Sequence, residues 1–304
     1  MSVLLTLLYR PLFTHIDVYK LLSIINIAFV ATVPWDSYLI RHKVWTYPPD
    51  VIIGPTLFFI PAEECFFFVI QTYNTSLLYF ILSKPVFMPA LIVGFKDVKN
   101  SRSFKLTRAA GFIAILLVIE QGISLLWHGG TGMYLGLILS WVGPFMLLLW
   151  TCGHQLLINL PLSSTVLPIA VSTLYLWILD TVQLRKGTWS IESGTKLDIQ
   201  LWEGLEIEEA VFFLATNVMI VFGLVAFENA LTILHTFPKL FPESQEFPSP
   251  ALLIKALLMS SSNYDTERID GIREATDRLK KKSRSFFLAS SVFPSRLRID
   301  LTLL

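Results

Sequence analysis

The chain has 304 residues, 54% of them hydrophobic and 15% charged, with a mean hydropathy of +0.61 and a formal net charge of +1. Soluble domains carry about a quarter of charged residues, so this composition excludes an ordinary soluble domain. It also disfavours a disordered chain, a disulfide-stapled secreted module and a basic nucleic-acid binder. What remains is an all-α, polytopic integral membrane protein.

In chain order, Met1 to Phe13 is apolar but short, which predicts a partial span, an interfacial helix or the remnant of a longer N-terminus. Apolar stretches of the length needed to cross the hydrocarbon core follow at about 17–40, 56–82, 109–127, 133–151, 162–182 and 207–230. The expectation is therefore six to seven transmembrane helices. Between the second and third, Lys84, Lys96, Lys99, Arg102, Lys105 and Arg108 face the single Asp97, and a basic excess of this kind marks the cytosolic side. With six spans both termini are then cytosolic, and the loops 41–55 and 183–206 share the other side.

Beyond Glu228 the composition changes. Pro238, Pro242, Pro248 and Pro250 read as a linker, followed by an apolar patch from Ala251 to Met259. Ile269, Ile272, Ala275 and Leu279 fall at helical spacing and predict a soluble amphipathic helix ending at Lys280–Lys282. The expected organisation is a membrane domain over 1–236, with repeats at about 17–127 and 133–235, a linker over 237–262, and a short soluble helical tail over 263–304.

The membrane domain repeats itself. PWDSYLIRHKVW around Asp36 and ILDTVQLRKGTW around Asp180 each place Arg five residues after the Asp (Arg41, Arg185) and Trp nine after it (Trp45, Trp189). PAEECFFF and EIEEAVFF then bring the pairs Glu63–Glu64 and Glu208–Glu209, followed by Phe67–Phe68 and Phe212–Phe213. Four crossings separate the copies, so the repeats are parallel, with a pseudo-twofold axis along the membrane normal. Both sets of acids then reach similar depth from one face.

Two readings stand for each Glu pair. Carboxylates in a first helical turn complement the helix dipole and stay wet. Neighbours on a helix diverge by about 100°, so alternatively one member of each pair points into the bundle, where lost hydration favours the protonated form. Asp36 and Asp180 either hydrogen-bond to such an acid and share its proton or pair with Arg41 and Arg185 at the interface. The Arg and Trp residues also suit the snorkelling cations and aromatic belts of membrane interfaces. Glu120, deep in the third span, has no repeat partner and is expected to hydrogen-bond across helices. The phenylalanines pack, face lipid or offer π faces to a cation. Cys65 and Cys152 make no framework, His42, His128 and His154 have no metal spacing, and Gly129–Gly132 is a tight loop rather than a dinucleotide fingerprint.

These motifs resemble the membrane-integral carotenoid cyclases, specifically the cyclase half of the fungal bifunctional lycopene cyclase/phytoene synthases. The resemblance covers about residues 10–235, and the second copy departs from the family's Pro-x-Glu-Glu by carrying Glu206 where Pro61 stands in the first. It implies a lycopene β-cyclase that acts on lycopene and related acyclic carotenoids within the lipid bilayer, without a cofactor and without nucleic acid. Acid/base work falls on Glu63, Glu64, Glu208 and Glu209, supported by Asp36 and Asp180. The tail KKSRSFFLASSVFPSRLRIDLTLL resembles the opening helix of phytoene synthases, whose DxxxD motifs hold magnesium-bound diphosphates. No DxxxD occurs in it, so the expectation is a chain cut just inside that half, with magnesium belonging only to the missing part. A repeat-built proton-coupled transporter is the main rival and would show broken helices near midplane. A retinal-type receptor lacks its Schiff-base lysine in the final span, and an inert membrane anchor leaves the duplicated acids unexplained.

Overall fold

A computed structural model of the protein describes residues 1–48, 50–84, 101–236, 241 and 247–259. Most of the basic loop, part of the linker, and everything from residue 260, including the amphipathic and synthase-like segments, lie outside the described residues. Eight α-helices occur among them: α1 Ser2–Tyr9, α2 His15–Arg41, α3 Ala62–Ser83, α4 Arg102–His128, α5 Met133–Asn159, α6 Leu162–Arg185, α7 Ile207–Thr236 and α8 Pro250–Met259. Helices α2 to α7 are long and apolar enough to cross a membrane. At 1.5 Å per residue, the eight residues of α1 rise only about 12 Å, too little to cross about 30 Å of hydrocarbon. Six spans therefore stand, and α1 packs Leu5 and Tyr9 against Leu77 and Phe80 of α3. The apolar patch at 251–259 is helix α8, which buries Leu253 and Ala256.

The second span starts at Ala62 rather than near 56 because residues 56–61 turn back as a hairpin. Strands β2 Thr56–Leu57 and β3 Ile60–Pro61 pair antiparallel, and so do β5 Gln200–Trp202 and β6 Leu205–Glu206 at the corresponding place before α7. Pro61 and Glu206 thus occupy the same position in matching hairpins, and Glu206 is neutralised there by Lys196 at 2.7 Å. The turns differ. Phe58 and Phe59 sit at φ 51° and 74°, whereas the second hairpin turns through Glu203 and Gly204, the latter at 88°. Glycine takes this region freely and phenylalanine does not. The first turn is clamped by Ser37 Oγ, which donates to the Phe58 carbonyl at 2.7 Å, and by Arg41 lying 4.2 Å over the Phe59 ring.

The pseudo-twofold is visible where equivalent residues meet. Strands β1 Trp45–Thr46 and β4 Ser190–Ile191 pair antiparallel with Thr46 opposite Ser190, 144 positions apart and 3.3 Å between hydroxyls. Lower in the bundle, Gln71 Nε2 of α3 donates to Thr216 Oγ1 of α7 at 2.7 Å, 145 positions away. Thr75 Oγ1 donates to Asn217 Oδ1 at 2.8 Å, and Asn217 Nδ2 to Thr173 Oγ1 of α6 at 3.1 Å. Interhelical hydrogen bonds of this kind join spans where lipid provides no hydrophobic drive between them. Apolar clusters lie on both sides of this polar band. One is centred on Leu77, Val221 and Leu224, and the other on Trp45, Ile138 and Phe212.

The far end of the bundle is closed by a buried ion network. Lys20 Nζ of α2 lies 3.1 Å from Asp17 Oδ1 and 2.9 Å from Glu228 Oε1 of α7. Tyr79 of α3 donates to Glu228 Oε2 at 2.9 Å, while Tyr9 and Lys84 reach Asp17 Oδ2 at 3.0 and 2.8 Å. Removing one member of a buried ion pair strands the others. Lys20→Met is expected to destabilise the fold by about 3–5 kcal/mol, read as a shifted midpoint when the protein in mild detergent is titrated with SDS. An unchanged midpoint contradicts this role.

Candidate active site

At the opposite end of the spans the acids of the two repeats converge. Asp36 sits near the end of α2 and Asp180 near the end of α6, both facing inward, 0% and 6% exposed. The Glu pairs occupy the first turns of α3 and α7, where the preceding hairpins aim the helices into the bundle. Within each pair the members do different things, and they do so in the same order. Glu63 Oε1 accepts the Ile53 backbone N–H at 2.5 Å, and Glu208 Oε1 accepts the Leu197 backbone N–H at 2.7 Å. Ile53 and Leu197 are themselves repeat equivalents, so the first glutamate of each pair fastens a loop. The second reaches a tyrosine, although Glu208 is no less buried than Glu209, 0% against 2% exposed. Glu64 Oε2 accepts the Tyr47 hydroxyl at 3.0 Å, and Glu209 Oε1 accepts the Tyr134 hydroxyl at 2.5 Å.

Asp36, Glu64, Asp180 and Glu209 form one electrostatic group rather than two. Glu64 lies close enough to interact with both Asp36 and Asp180, and Glu209 with Asp180, Glu64 and its neighbour Glu208. Tyr47, in the loop after α2, registers the same convergence. Burial first, and then the charges of Glu64, Asp36 and Glu209, push its phenol well above the ordinary value, so its hydroxyl stays a donor. Among the described residues no ion pair reaches any of the four carboxyls. Both oxygens of Asp36 and Oδ2 of Asp180 are buried without a hydrogen-bond partner. Groups of this kind cannot all carry charge together without strong mutual repulsion. No group of three or more His, Cys, Asp or Glu among the described residues is arranged to hold a metal ion.

The surroundings are aromatic. Trp35, beside Asp36, lies near-parallel to Trp141 at 4.7 Å and to Phe212 at 5.5 Å, and those two rings are 6.4 Å from each other. Trp45 meets Trp35 and Tyr134 edge-on at 5.9 and 5.7 Å, and Phe67 meets Phe213 at 6.0 Å. Phe66 alone of the phenylalanine runs points well outward, 65% exposed. Neither repeat arginine pairs with its aspartate: Arg41 lies over Phe59, and Arg185 reaches the carbonyl and carboxylate of Glu203. Trp45 is buried in the aromatic wall, and the Trp189 indole addresses Asp180. Glu120 differs from expectation. It lies exposed on α4 and makes no hydrogen bond among the described residues, because α4 turns its other face, at Gly122, onto α5.

Tyr47 and Tyr134 were not singled out by sequence. Position 191, equivalent to Tyr47, is isoleucine, and Tyr134 lies outside the matched segments around Asp36 and Asp180, so the duplication that exposes the acids is silent about both.

No family model matches the chain, and no solved structure matches it. Among curated proteins, it is 58% identical over 303 residues to the bifunctional lycopene cyclase/phytoene synthase of Leptosphaeria maculans, covering 100% of this chain and 52% of that protein. It is 55% identical to the protein of the same name from Pyrenophora tritici-repentis, over 100% of this chain and 52% of the relative. For that of Gibberella fujikuroi the identity is 53%, over 99% and 50%. The chain spans about half the length of these relatives. Along its whole length, then, it is a homologue of the fungal bifunctional lycopene cyclase/phytoene synthases.

Proposed function

We propose that this chain is a lycopene β-cyclase, the cyclase portion of such a bifunctional protein, and that Glu64 and Glu209 carry the proton chemistry with Asp36 and Asp180. The observation that carries this reading is the single buried group of four carboxyls, drawn from both repeats, unpaired by any described cation and walled by indole and phenyl rings. Lycopene is a hydrocarbon without hydrogen-bonding groups, so it binds by burial of apolar surface. A protonated carboxyl of the group adds its proton to the end-group double bond. The neighbouring double bond closes on the resulting carbocation, and a carboxylate of the group removes a ring proton to leave the β-ring. One proton enters and one leaves, so the acid is restored, no electrons are transferred, and no co-reactant or cofactor is required. The aromatic faces stabilise the passing cation, and Tyr47 and Tyr134 orient the two inward glutamates. Magnesium belongs to the synthase portion, to which the segment 263–304 is assigned by resemblance. The basic excess of the loop 84–108 supports a cytosolic location for that segment.

The continuity of the spans supports this reading over a transporter. Pro34, Pro144 and Pro168 sit inside α2, α5 and α6 without breaking them, and an alternating-access transporter is expected to unwind its helices around the substrate.

Expression of the chain in a lycopene-accumulating host is expected to yield ring-bearing carotenoid. Glu64→Gln and Glu209→Gln should each lower ring formation by about 10² or more, the usual weight of a general acid or base. Lycopene left unchanged by well-expressed, membrane-inserted wild-type chain removes the proposal.

A separate prediction concerns the division of labour within the pairs. Glu63→Gln and Glu208→Gln keep an oxygen that accepts the loop N–H, so ring formation should fall by no more than roughly tenfold, within the range of one neutral hydrogen bond. Tyr134→Phe, which removes the hydroxyl that donates to Glu209, should cost more than either. Pigment ratios normalised to membrane-inserted protein check the order, and equal losses at both members of a pair refute it.

A further inference from the structure

Helix α4 is the least covered of the six spans, with 6% of its apolar window buried against 61% for α7. Its one packed face is made by Gly122, where a Cβ would come within 2.8 Å of the Ser140 backbone nitrogen of α5. On the opposite face Leu106, Ile113, Leu117, Glu120, Ser124 and Trp127 share one side of the helix, with steps of four and three between Ile113 and Trp127. The large members are well exposed, Ile113 at 58%, Leu117 at 60% and Trp127 at 87%, as are the neighbouring Leu116 and Ile123. Residues at this spacing on two parallel helices can mesh as a left-handed pair.

Glu120 stands in the middle of that stripe. The apolar stretch of α4 runs from Ala109 to Trp127, so Glu120 lies within one turn of its centre, at midplane depth. It makes no hydrogen bond among the described residues, and the surface is slightly hollowed around it between Leu116 and Trp127. A carboxyl at this depth facing acyl chains costs several kcal/mol. Neither lipid nor a polyene provides a hydrogen bond to offset it.

We propose that this face of α4 is a homodimer interface, occupied by the same face of a second copy about a twofold axis along the membrane normal. The complementarity is internal to the sequence. In a parallel pair each seam residue inserts between four residues of the facing helix. For Glu120 those are Leu117, Glu120, Gln121 and Ser124 of the second copy. The Gln121 amide and the Ser124 hydroxyl are donors at the depth where the carboxyl needs them, and the twofold provides the same two bonds in return. Gln121 is exposed on the rim of the face, where a flanking seam position requires it. This assignment is independent of the proposed catalysis, since the α4 face is separate from the four-carboxyl site.

Disulfide mapping in native membranes tests it. In a full-length background carrying Cys65→Ser and Cys152→Ser, single cysteines are placed at Ile113 and Trp127 on the seam and at Leu148, an exposed residue of α5. Mild oxidation is expected to give a covalent dimer at 113 and 127 and at least fivefold less at 148. In mild detergent, light scattering should give twice the chain mass for wild type, with the dimer fraction kept in Glu120→Gln and reduced at least threefold in Glu120→Leu. A monomer in detergent together with no seam cross-link, cross-linking as strong at 148 as on the seam, adducts to a protein of different mass, or an unchanged dimer fraction in Glu120→Leu each overturns the proposal.

Discussion

Residues that are copies of one another can touch only at the axis that relates the copies, and that constraint organises this protein. Thr46 against Ser190 at the loop surface and Gln71 against Thr216 inside the bundle mark two points on the same line. Once α3 and α7 cross on that line, their first turns are brought to one depth, and the inward glutamates of both repeats must lie near each other. The aspartates follow, because α2 and α6 end beside the helices they lead into. A single site made from two halves is thus a consequence of the crossing rather than of any separate contact between the acids, which by themselves would repel.

That repulsion is set against a bundle whose two ends have opposite electrostatic character. At one end Asp17 and Glu228 are held by Lys20, Lys84 and two tyrosines, and charge is balanced within a few ångströms. At the other end four carboxyls share two tyrosine hydroxyls and no described cation. Buried ions that are paired lock helices in place, and the first arrangement is suited to holding α1, α2, α3 and α7 together. The second has no such lock and depends on the rest of the bundle to keep its acids close.

Much of this is legible in the sequence because duplication prints it twice. The Asp, Arg, Trp and Glu-Glu spacing gave the repeat, its parallel sense and the candidate acids, and the six spans follow from hydropathy alone. What remained hidden has a common cause: it depends on contacts without a partner copy or a period. The hairpins at 56–61 and 200–206 are too short for an alternating pattern. Tyr134 lies at the start of α5, outside the repeat register, and Tyr47 has isoleucine as its counterpart. Which glutamate of each pair turns inward is set by loop N–H groups at Ile53 and Leu197, and no residue type at those positions announces a backbone bond. The depth of Glu120 in its span suggests a bond to a neighbouring helix, but which side of α4 it occupies is set by the packing of Gly122 on α5, and that side is exposed.

The two halves of the site are related but not equal, and the inequality has chemical consequences. Glu209 is 2% exposed and receives the wholly buried Tyr134. Glu64 is only half-buried, receives a tyrosine from a loop, and is followed by Cys65 and the outward Phe66. The first hairpin beside it carries the aromatic turn Phe58–Phe59, where the second carries Glu203–Gly204. The two acid sets therefore share one end of the bundle but not one environment: Glu209 is closed in with Tyr134, whereas Glu64 lies nearer the surface beside the exposed Phe58, Phe59 and Phe66. Duplication built two acid sets and the axis merged them, and it is the residues that differ between the copies, not the acids themselves, that decide how far each set is covered.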